Sequence, residues 1–160
     1  MSAAAGDPIP DVELMTMTEQ GPKKVRSTEV LGKGRVVLFA VPGAFTPTCS
    51  DHHLPGYVFR EAELRDRGVD TIACISVNDA FVMGAWGEAQ EVGESVLMLA
   101  DGNGEFTSAM GLELDGSGFG LGKRSQRYAA IIDDGVITSL FVEPGGGLSV
   151  SSADSVLAAL

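Results

Sequence analysis

Three short apolar runs, separated by stretches with helical spacing, constrain the fold of this chain more than any other feature. They are RVVLFAV (35–41), VDTIACISV (69–77) and SVLMLAD (95–101). Each run has the length of a strand and is apolar at most positions, which is typical of a strand buried on both faces of a sheet. The helical patterns between the runs favour parallel pairing of the three strands. In the first of these patterns Pro55 should cause a kink and Gly68 ends the helix, and Asn78 and Asp79 can cap the second. The sequence therefore predicts an α/β fold, with a central sheet flanked by helices.

Two hairpin patterns flank this parallel unit. Residues 10–18 and 23–28 read as short strands around a glycine–proline turn, and residues 126–144 contain Asp134-Gly135. An Asp-Gly pair between apolar runs is a strong signal of a tight hairpin turn. We therefore expect a mixed sheet with an N-terminal β-hairpin and a second antiparallel hairpin at an edge. The length, without repeats or linkers, predicts a single domain over residues 1–160.

Charge and cysteine content limit the possible functions. The formal net charge of −11 should repel polyanions, so neither nucleic acid nor an anionic membrane is an expected partner. No apolar run approaches the roughly 18 residues of a membrane span, and the first residues lack the pattern of a secretory signal. We therefore expect a cytoplasmic protein. Its two cysteines, Cys49 and Cys74, are too few for a disulfide framework or a cysteine-based zinc site, and no cofactor or metal is predicted.

The turn after the first buried run holds the clearest candidate for chemistry. In VPGAFTPTCSDHHLPGY (41–57), Cys49 lies where a strand passes into a helix. The spacing from Thr48 to Asp51 predicts Thr48 as the helix N-cap, which puts Cys49 in the first turn, where free N–H groups and the helix dipole favour a thiolate. Asp51 opposes a second negative charge, so a cation from elsewhere is expected. From these residues alone, Cys49 is either a reactive thiol or a small buried apolar residue.

The residues around Cys49 also resemble one protein family. PGAFTPTC (42–49) resembles the P-x-x-x-T-x-x-C motif of peroxiredoxins, and the longer string through HLPGY resembles their type II or type-5 branch in plants and bacteria. The likeness continues in GVDTIACISVNDAFVMGAW (68–86), RSQRYAAIIDDG (124–135) and FVEPGGGLS (141–149). This resemblance implies a thioredoxin-like fold and a thiol-dependent peroxidase, an antioxidant enzyme that reduces hydrogen peroxide and alkyl hydroperoxides.

By the same resemblance, the catalytic residues are Cys49, Thr46, Arg127 and Pro42. The Cys49 thiolate would attack one peroxide oxygen and become a sulfenic acid. Thr46 would hydrogen-bond the peroxide, Pro42 would shield the sulfur from water, and Arg127 would hold the thiolate and polarise the peroxide. Without the resemblance, Arg127 would be expected as a surface residue in a salt bridge. Arg124 is expected to support the site without taking part in the reaction.

Cys74 and position 150 bear on how the sulfenic acid is reduced. In the plant branch a thiol at the spacing of Cys74 is sometimes assigned as resolving, but here Cys74 lies in a predicted buried strand. A disulfide needs Cα atoms within about 7 Å, so a bond between Cys49 and Cys74 would require the helix that carries Cys49 to unwind. We therefore expect Cys74 to belong to the core. Animal type-5 members place their resolving cysteine where this chain has Val150. The resemblance therefore implies an external reductant, glutathione with glutaredoxin or else thioredoxin, and a homodimer.

Other candidate residues favour structural roles. His53 lies four residues after Cys49 on the same helix, unlike the distant histidine of a cysteine protease, so packing or a dimer contact is expected. Trp86 either lines the pocket or belongs to the core. GSGFGLGK (116–123) does not fit a phosphate-binding loop, because Ser117 stands where that pattern needs glycine. We expect a mobile loop there.

A second class of function stays open at this stage. A non-catalytic thioredoxin-fold redox sensor or binding protein could use oxidation of Cys49 as its signal. The complete set of Pro42, Thr46, Cys49 and Arg127 favours the enzyme, because a sensor does not need a geometry for rapid turnover. A thioredoxin-type oxidoreductase is less favoured, since Thr46 stands where a C-x-x-C motif would have its first cysteine.

Overall fold

The computed structural model describes residues 2–145 and 147–160. Met1 and Gly146, which fall within the predicted domain 1–160, lie outside the described residues. The strands are β1 Glu13–Thr18, β2 Gly21–Arg26, β3 Arg35–Ala40, β4 Thr71–Ser76, β5 Leu97–Ala100, β6 Glu113–Asp115, β7 Lys123–Ser125, β8 Tyr128–Asp133 and β9 Val136–Val142. The helices are α1 Ser27–Val30, α2 Leu54–Phe59, α3 Glu61–Asp66, α4 Ala80–Ala89, α5 Glu105–Met110 and α6 Ala153–Ala159, and a π-helical turn spans Cys49–His53.

The central sheet has the strand order β2-β1-β5-β4-β3-β8-β9. Strand β4 lies between β3 and β5 and pairs parallel with both. Both predicted hairpins are present and are antiparallel, β1 with β2 and β8 with β9. The first turn is tighter than predicted, because Gly21 and Pro22, expected in the turn, pair with β1 as the first residues of β2. Each hairpin also joins the parallel unit through an antiparallel pair, β1 with β5 and β8 with β3. The mixed sheet flanked by helices, with an N-terminal hairpin, confirms the predicted fold class.

The core lies on both faces of this sheet, because alternate residues of the buried strands point to opposite sides. On β3, Val37 and Phe39 pack into one cluster, whereas Val36 and Leu38 pack into the other. The first cluster contains both Cys49 and Cys74, together with side chains of α2, α4 and α6. The two cysteines therefore share one face of the sheet.

Some short elements were not foreseen in the sequence. Residues 27–30 form a single helical turn, and the glycine-rich segment is bounded by a small antiparallel pair, β6 with β7. Strands of three residues contain too few positions to show an alternating pattern, so tertiary pairing decides them. Asn78 was expected to share the cap of α4, but only Asp79 caps it, accepting a hydrogen bond from the backbone N–H of Val82 at 2.8 Å.

The strand directions decide where a site can form. The carboxyl ends of β3 and β4 meet at one edge of the sheet, and in α/β sheets this edge is where functional residues gather. The segment after β3 carries Cys49, and β8 begins beside it. Among residues 2–145 and 147–160, no helix combines the length and apolar character needed to cross a membrane.

Candidate active site

The segment 42–48, which we call the thiol loop, leaves the end of β3 and is tied back to β4. Just before it, the backbone N–H of Val41 donates to the carbonyl of Ile75 at 3.1 Å, and the Ser76 hydroxyl donates to the carbonyl of Val41 at 3.1 Å. Within the loop, the N–H of Ala44 donates to the Asn78 side-chain oxygen at 3.1 Å. Asn78, predicted as a helix cap, instead fixes this loop.

The helix after the loop begins before Cys49, but not as predicted. Thr48 has helical backbone angles and its side chain makes no capping bond. The first helical hydrogen bond runs from Ser50 N–H to the carbonyl of Thr46 at 2.9 Å, so the cap position belongs to Thr46 and the N-cap prediction was wrong by two residues. Cys49 still lies in the first turn, where backbone N–H groups have no partner within the helix.

The turn that carries Cys49 is a π-helical turn instead of an ordinary α-helical one. It spans Cys49–His53, and the N–H of Leu54 donates to the carbonyl of Cys49, five residues back. Pro55 explains the change: a proline inside a helix has no N–H and clashes with the carbonyl four residues earlier. The sequence predicted a kink at Pro55, and the wider turn is the form that this distortion takes.

Arg127 reaches Cys49 from the start of β8, the strand next to β3 in the sheet. Strand β8 pairs with β3 so that Tyr128 lies opposite Ala40, which places the preceding residue, Arg127, next to the end of β3. Its Nη2 donates to Cys49 Sγ at 3.1 Å. Cys49 is fully buried and Arg127 is 5% exposed, so this charge-assisted contact forms away from bulk water, where it stabilises a thiolate most. Arg127 therefore supplies the expected cation, and it is not a surface salt-bridge residue.

His53 holds the same guanidinium from behind. Arg127 Nη1 donates to His53 Nδ1 at 2.8 Å, and His53 Nε2 lies 3.0 Å from the carbonyl oxygen of Ser151. Because both contacts need a donor and an acceptor, the ring is neutral with its proton on Nε2. Burial, followed by the charge of Arg127, lowers the pKa of His53 from 6.5 to about 3. His53 is thus a positioning residue, a role that the sequence analysis missed in favour of packing or a dimer contact.

The segment 149–151 completes this network. Its backbone and hydroxyl groups donate to the Glu143 carboxylate, including Ser151 N–H at 2.8 Å and Ser151 Oγ at 2.7 Å. Burial alone would raise the pKa of Glu143, but hydrogen bonds from Ser151, Ser149 and Val150 bring it to about 2. The Tyr57 hydroxyl also donates to the Ser151 carbonyl at 2.8 Å. No single motif marks this chain of contacts, since its members come from four separate segments. Most of them lie within the strings that resemble the family, 53–57, 124–135 and 141–149, but spacing along the chain does not show that they meet.

Comparison of the chain with known proteins agrees with this geometry. The sequence matches the Redoxin family over residues 4–157. It is 48% identical to Peroxiredoxin-2B of Arabidopsis thaliana, over 98% of both chains, and 50% identical to the chloroplastic Peroxiredoxin-2E of the same plant, over 99% of this chain and 70% of that one. The crystal structure of reduced Prx3 from Vibrio vulnificus in complex with H₂O₂ superposes with a TM-score of 0.94 at 54% identity, over 98% of each chain. The chain belongs to the peroxiredoxins.

Within that family it is a type II peroxiredoxin and hence a thiol peroxidase. A peroxidase of this family needs a thiolate, a donor for the leaving oxygen and a site closed to water. In this structure Cys49 is fully buried, and Arg127 Nη2 lies 3.1 Å from its sulfur. The comparisons favour the enzyme over the non-catalytic redox sensor.

Thr46 and Pro42 lie in the thiol loop of this peroxiredoxin. The Thr46 hydroxyl donates to the carbonyl of Gly43 at 2.6 Å, so its oxygen keeps free lone pairs. The carbonyl of Pro42 accepts from Arg124 Nη1 at 3.2 Å. Arg124 thus braces the loop that carries Thr46, in keeping with the supporting role predicted for it.

Trp86 and Cys74 lie on the buried side of the site. The indole of Trp86 is fully buried in the core, and its N–H donates to Ser50 Oγ at 2.9 Å, so Trp86 belongs to the core and also anchors the turn that carries Cys49. Cys74 is fully buried in β4, as expected, and is a free thiol. Burial raises the pKa of Cys74 well above its ordinary value, and the charge of Cys49 raises it further.

Proposed function

We propose that this peroxiredoxin reduces hydrogen peroxide and alkyl hydroperoxides through a Cys49 sulfenic acid. The thiolate attacks one peroxide oxygen, the O–O bond breaks, and the departing oxygen takes a proton to leave as water or an alcohol. The observation that carries the proposal is the 3.1 Å contact between Arg127 Nη2 and Cys49 Sγ in a buried site. That contact places a cationic donor against the sulfur and beside the reacting atoms, where it can stabilise developing negative charge.

Arg127 also has a donor to spare for the peroxide. Its Nη1 and Nη2 are engaged by His53 and Cys49, whereas its buried Nε has no hydrogen-bond partner in the part of the chain that the structure describes. Nε and Nη2 share one edge of the planar guanidinium, so the free donor lies next to the nitrogen that donates to Cys49. An unpaired buried donor is costly. A peroxide oxygen beside Sγ would satisfy it and would be stabilised as its negative charge develops.

Thr46 would orient the peroxide from the opposite side. Because its hydroxyl proton is committed to the Gly43 carbonyl, Thr46 Oγ1 can act toward a ligand only as an acceptor. A hydroperoxide has one O–H donor, which would point at Thr46 while its oxygens face Arg127. Pro42, at the head of the same loop, would exclude water from the sulfur. These assignments make the predicted set of Cys49, Thr46, Arg127 and Pro42 one catalytic unit.

The reductant would come from outside the chain. An external thiol, R–SH, would attack the sulfenic acid to give a Cys49–S–S–R mixed disulfide and water, and a second thiol would release Cys49. Two observations support this route. Cys74 stays a protonated, buried thiol and therefore a poor nucleophile, and position 150 carries a valine. We propose glutathione with glutaredoxin as the reductant, with thioredoxin as the alternative.

A second copy of this chain is the partner that best fits the apolar surface near the site. Phe45, Phe81 and Phe119 are 55%, 66% and 88% exposed. Phe45 lies in the thiol loop with a φ of 64°, a conformation that is strained for a bulky residue and that holds the ring in solvent. Residue 119 belongs to the segment that Arg124 ties to this loop. Pairing of these surfaces in a homodimer would bury all three rings.

Peroxide consumption tests the proposed activity. The protein should consume hydrogen peroxide and an alkyl hydroperoxide when supplied with glutathione, glutaredoxin, glutathione reductase and NADPH, and the parallel assay uses thioredoxin with its reductase. Turnover in neither system would contradict an external thiol reductant. Sedimentation of the wild type beside Phe119→Ser tests the dimer. The cytoplasmic location stays a prediction from the sequence, to be tested by cell fractionation.

A further inference from the structure

Arg124 is a cation without an acidic partner beside the thiol loop. Among residues 2–145 and 147–160, no carboxylate lies within 4.0 Å of its guanidinium. We propose that Arg124 binds a carboxylate of the small thiol that attacks the Cys49 sulfenic acid, so that the protein prefers acidic thiols to neutral ones. This inference rests on the external thiol of the proposed function and adds the chemical class that the site selects.

The position of Arg124 is fixed by the backbone. Its Nε donates to the carbonyl of Leu121 at 3.0 Å and its Nη1 to the carbonyl of Pro42 at 3.2 Å. The contact with the thiol loop is close: a Cβ added at Gly43 would lie 2.8 Å from Arg124 Nη1 and 3.1 Å from Thr46 Cγ2. Arg124 and Thr46 thus both lie against the position that a side chain of residue 43 would occupy. Nη2 of Arg124 makes no hydrogen bond to any described residue, and it can still bind a ligand.

A cavity of about 340 Å³ opens on this guanidinium. Its polar lining comes from Asn103, Thr107, Ser108, Glu113, Lys123 and Arg124. Glu113 and Lys123 form an ion pair at 3.1 Å, which leaves the charge of Arg124 as the uncompensated one. A carboxylate-bearing molecule of peptide size therefore finds a positive anchor and neutral hydrogen-bonding groups in one place.

The charge of the whole protein makes such an anchor useful. At a formal net charge of −11, the surface repels a thiol that carries carboxylates. The reacting step is R–SH + Cys49–S–OH → Cys49–S–S–R + H₂O: the S–S bond forms as the S–O bond breaks, and the proton that the incoming thiol releases on ionisation converts the departing hydroxide to water. A carboxylate held at Arg124 would offset the repulsion and keep the incoming sulfur near the loop, which raises its effective concentration.

A pair of thiols with the same peptide skeleton, one with free and one with esterified carboxyl groups, tests the proposal. The sulfenic acid is formed with one equivalent of hydrogen peroxide and then mixed with glutathione or with glutathione diethyl ester, whose carboxylates are masked. Intact mass spectrometry at timed intervals gives both rate constants. We expect Arg124→Gln to lower the ratio of the glutathione rate to the ester rate about two- to fivefold, the effect of one exposed ion pair. Arg124→Lys should retain most of the ratio. Lys33→Gln, which removes an exposed charge at the opposite end of β3, should leave it at the wild-type value.

The possible outcomes separate the two proposals. A wild-type ratio in Arg124→Gln overturns the role of Arg124, and so does an equal fall of both rates, since that is what loss of the contacts to Pro42 and Leu121 alone would give. If the wild-type sulfenic acid reacts with neither thiol, the external-thiol route itself fails and this inference falls with it. A ratio that drops in Arg124→Gln, recovers in Arg124→Lys and shrinks as salt screens the charge supports the proposal.

Discussion

The turn around Cys49 and the strand around Cys74 place the same side chain in two equally buried positions. Both thiols are fully buried, free and on one face of the sheet. Cys49 lies in the first turn of a helix with Arg127 Nη2 at 3.1 Å from its sulfur. Cys74 lies mid-strand, paired in register with Phe39 and Met98. Burial alone therefore does not distinguish the two thiols: Cys49 has a cationic donor against its sulfur, whereas burial raises the pKa of Cys74 well above its ordinary value.

The largest effect should come from Cys49 itself. We expect Cys49→Ser to abolish peroxide consumption with glutathione and glutaredoxin, because a serine hydroxyl stays protonated and does not cleave the O–O bond at a useful rate. Its circular dichroism should match that of the wild type, since Ser and Cys have similar size. Activity above a few per cent of wild type would contradict the assignment of Cys49 as the nucleophile.

Removal of the donor that distinguishes the two cysteines should come next. Arg127→Gln should lower the rate of the peroxide reaction about 10²- to 10³-fold, the usual cost of one donor aimed at the transition state. Stopped-flow kinetics of the reduced protein with hydrogen peroxide measure it. Lys33→Gln removes the same charge far from the site and is the control. A loss of less than threefold in Arg127→Gln would show that the helix start alone activates Cys49.

His53 contacts Cys49 only indirectly, through the arginine that donates to the sulfur. His53→Phe leaves Arg127 Nη1 and the Ser151 carbonyl without their partner, and we expect the peroxide rate to fall about tenfold for the loss of this buried bond. His53→Gln, which can both accept and donate, should recover part of it. With a pKa of about 3, His53 is neutral from pH 5 to 8, so the shape of the pH–rate profile should not change. Loss of an ionisation near pH 6.5 in the variants would contradict this.

The network behind His53 should appear in the acid stability. The pKa of Glu143 lies at about 2 in the folded protein, against an ordinary value of 4.5. A depressed pKa contributes stability that is present above about pH 4.5 and is lost as pH falls toward 2. At pH 7, the free energy of unfolding of Glu143→Gln should be lower than that of the wild type by roughly 2 kcal/mol, since the variant loses charge-assisted hydrogen bonds. In urea titrations this deficit should shrink between pH 4.5 and 2.5, and a constant deficit would contradict the assignment.

The smallest effect should come from Cys74. Cys74→Ser should keep most of its glutaredoxin-supported turnover, because the buried thiol takes no part in the cycle. One equivalent of peroxide without reductant should give wild-type protein heavier by one oxygen, and glutathione should convert it to a mixed disulfide. Intact mass spectrometry separates these species. A monomer lighter by two hydrogens would mean that the two cysteines meet, and it would remove the contrast between them.

Much of the sheet could be predicted from the sequence because buried strands and tight turns carry local signals. The apolar runs 35–41 and 69–77 became β3 and β4, and Asp134-Gly135 forms its hairpin turn with φ angles of 47° and 84°. The predicted cap at Thr48 was wrong because the first helical hydrogen bond, from Ser50 N–H to the Thr46 carbonyl, starts the helix two residues earlier. Helix starts are decided by competing contacts over several residues. Strands β6 and β7 have three residues each, which is too few to show the alternation of apolar and polar residues that identifies a strand.

The residue types around the thiol could be predicted from the chain alone, because the motif 42–49 and Arg127 match residues that the peroxiredoxin family shares. Only the tertiary structure decided how they meet. The register of β8 on β3, with Tyr128 opposite Ala40, brings Arg127 next to the sulfur of Cys49, 78 residues away along the chain. The same register brings the Arg127 guanidinium within hydrogen-bonding distance of His53. Local spacing encodes helices and turns because their contacts are between near neighbours. A site assembled from strands paired across the sheet depends on long-range packing, and that appears only in the folded chain.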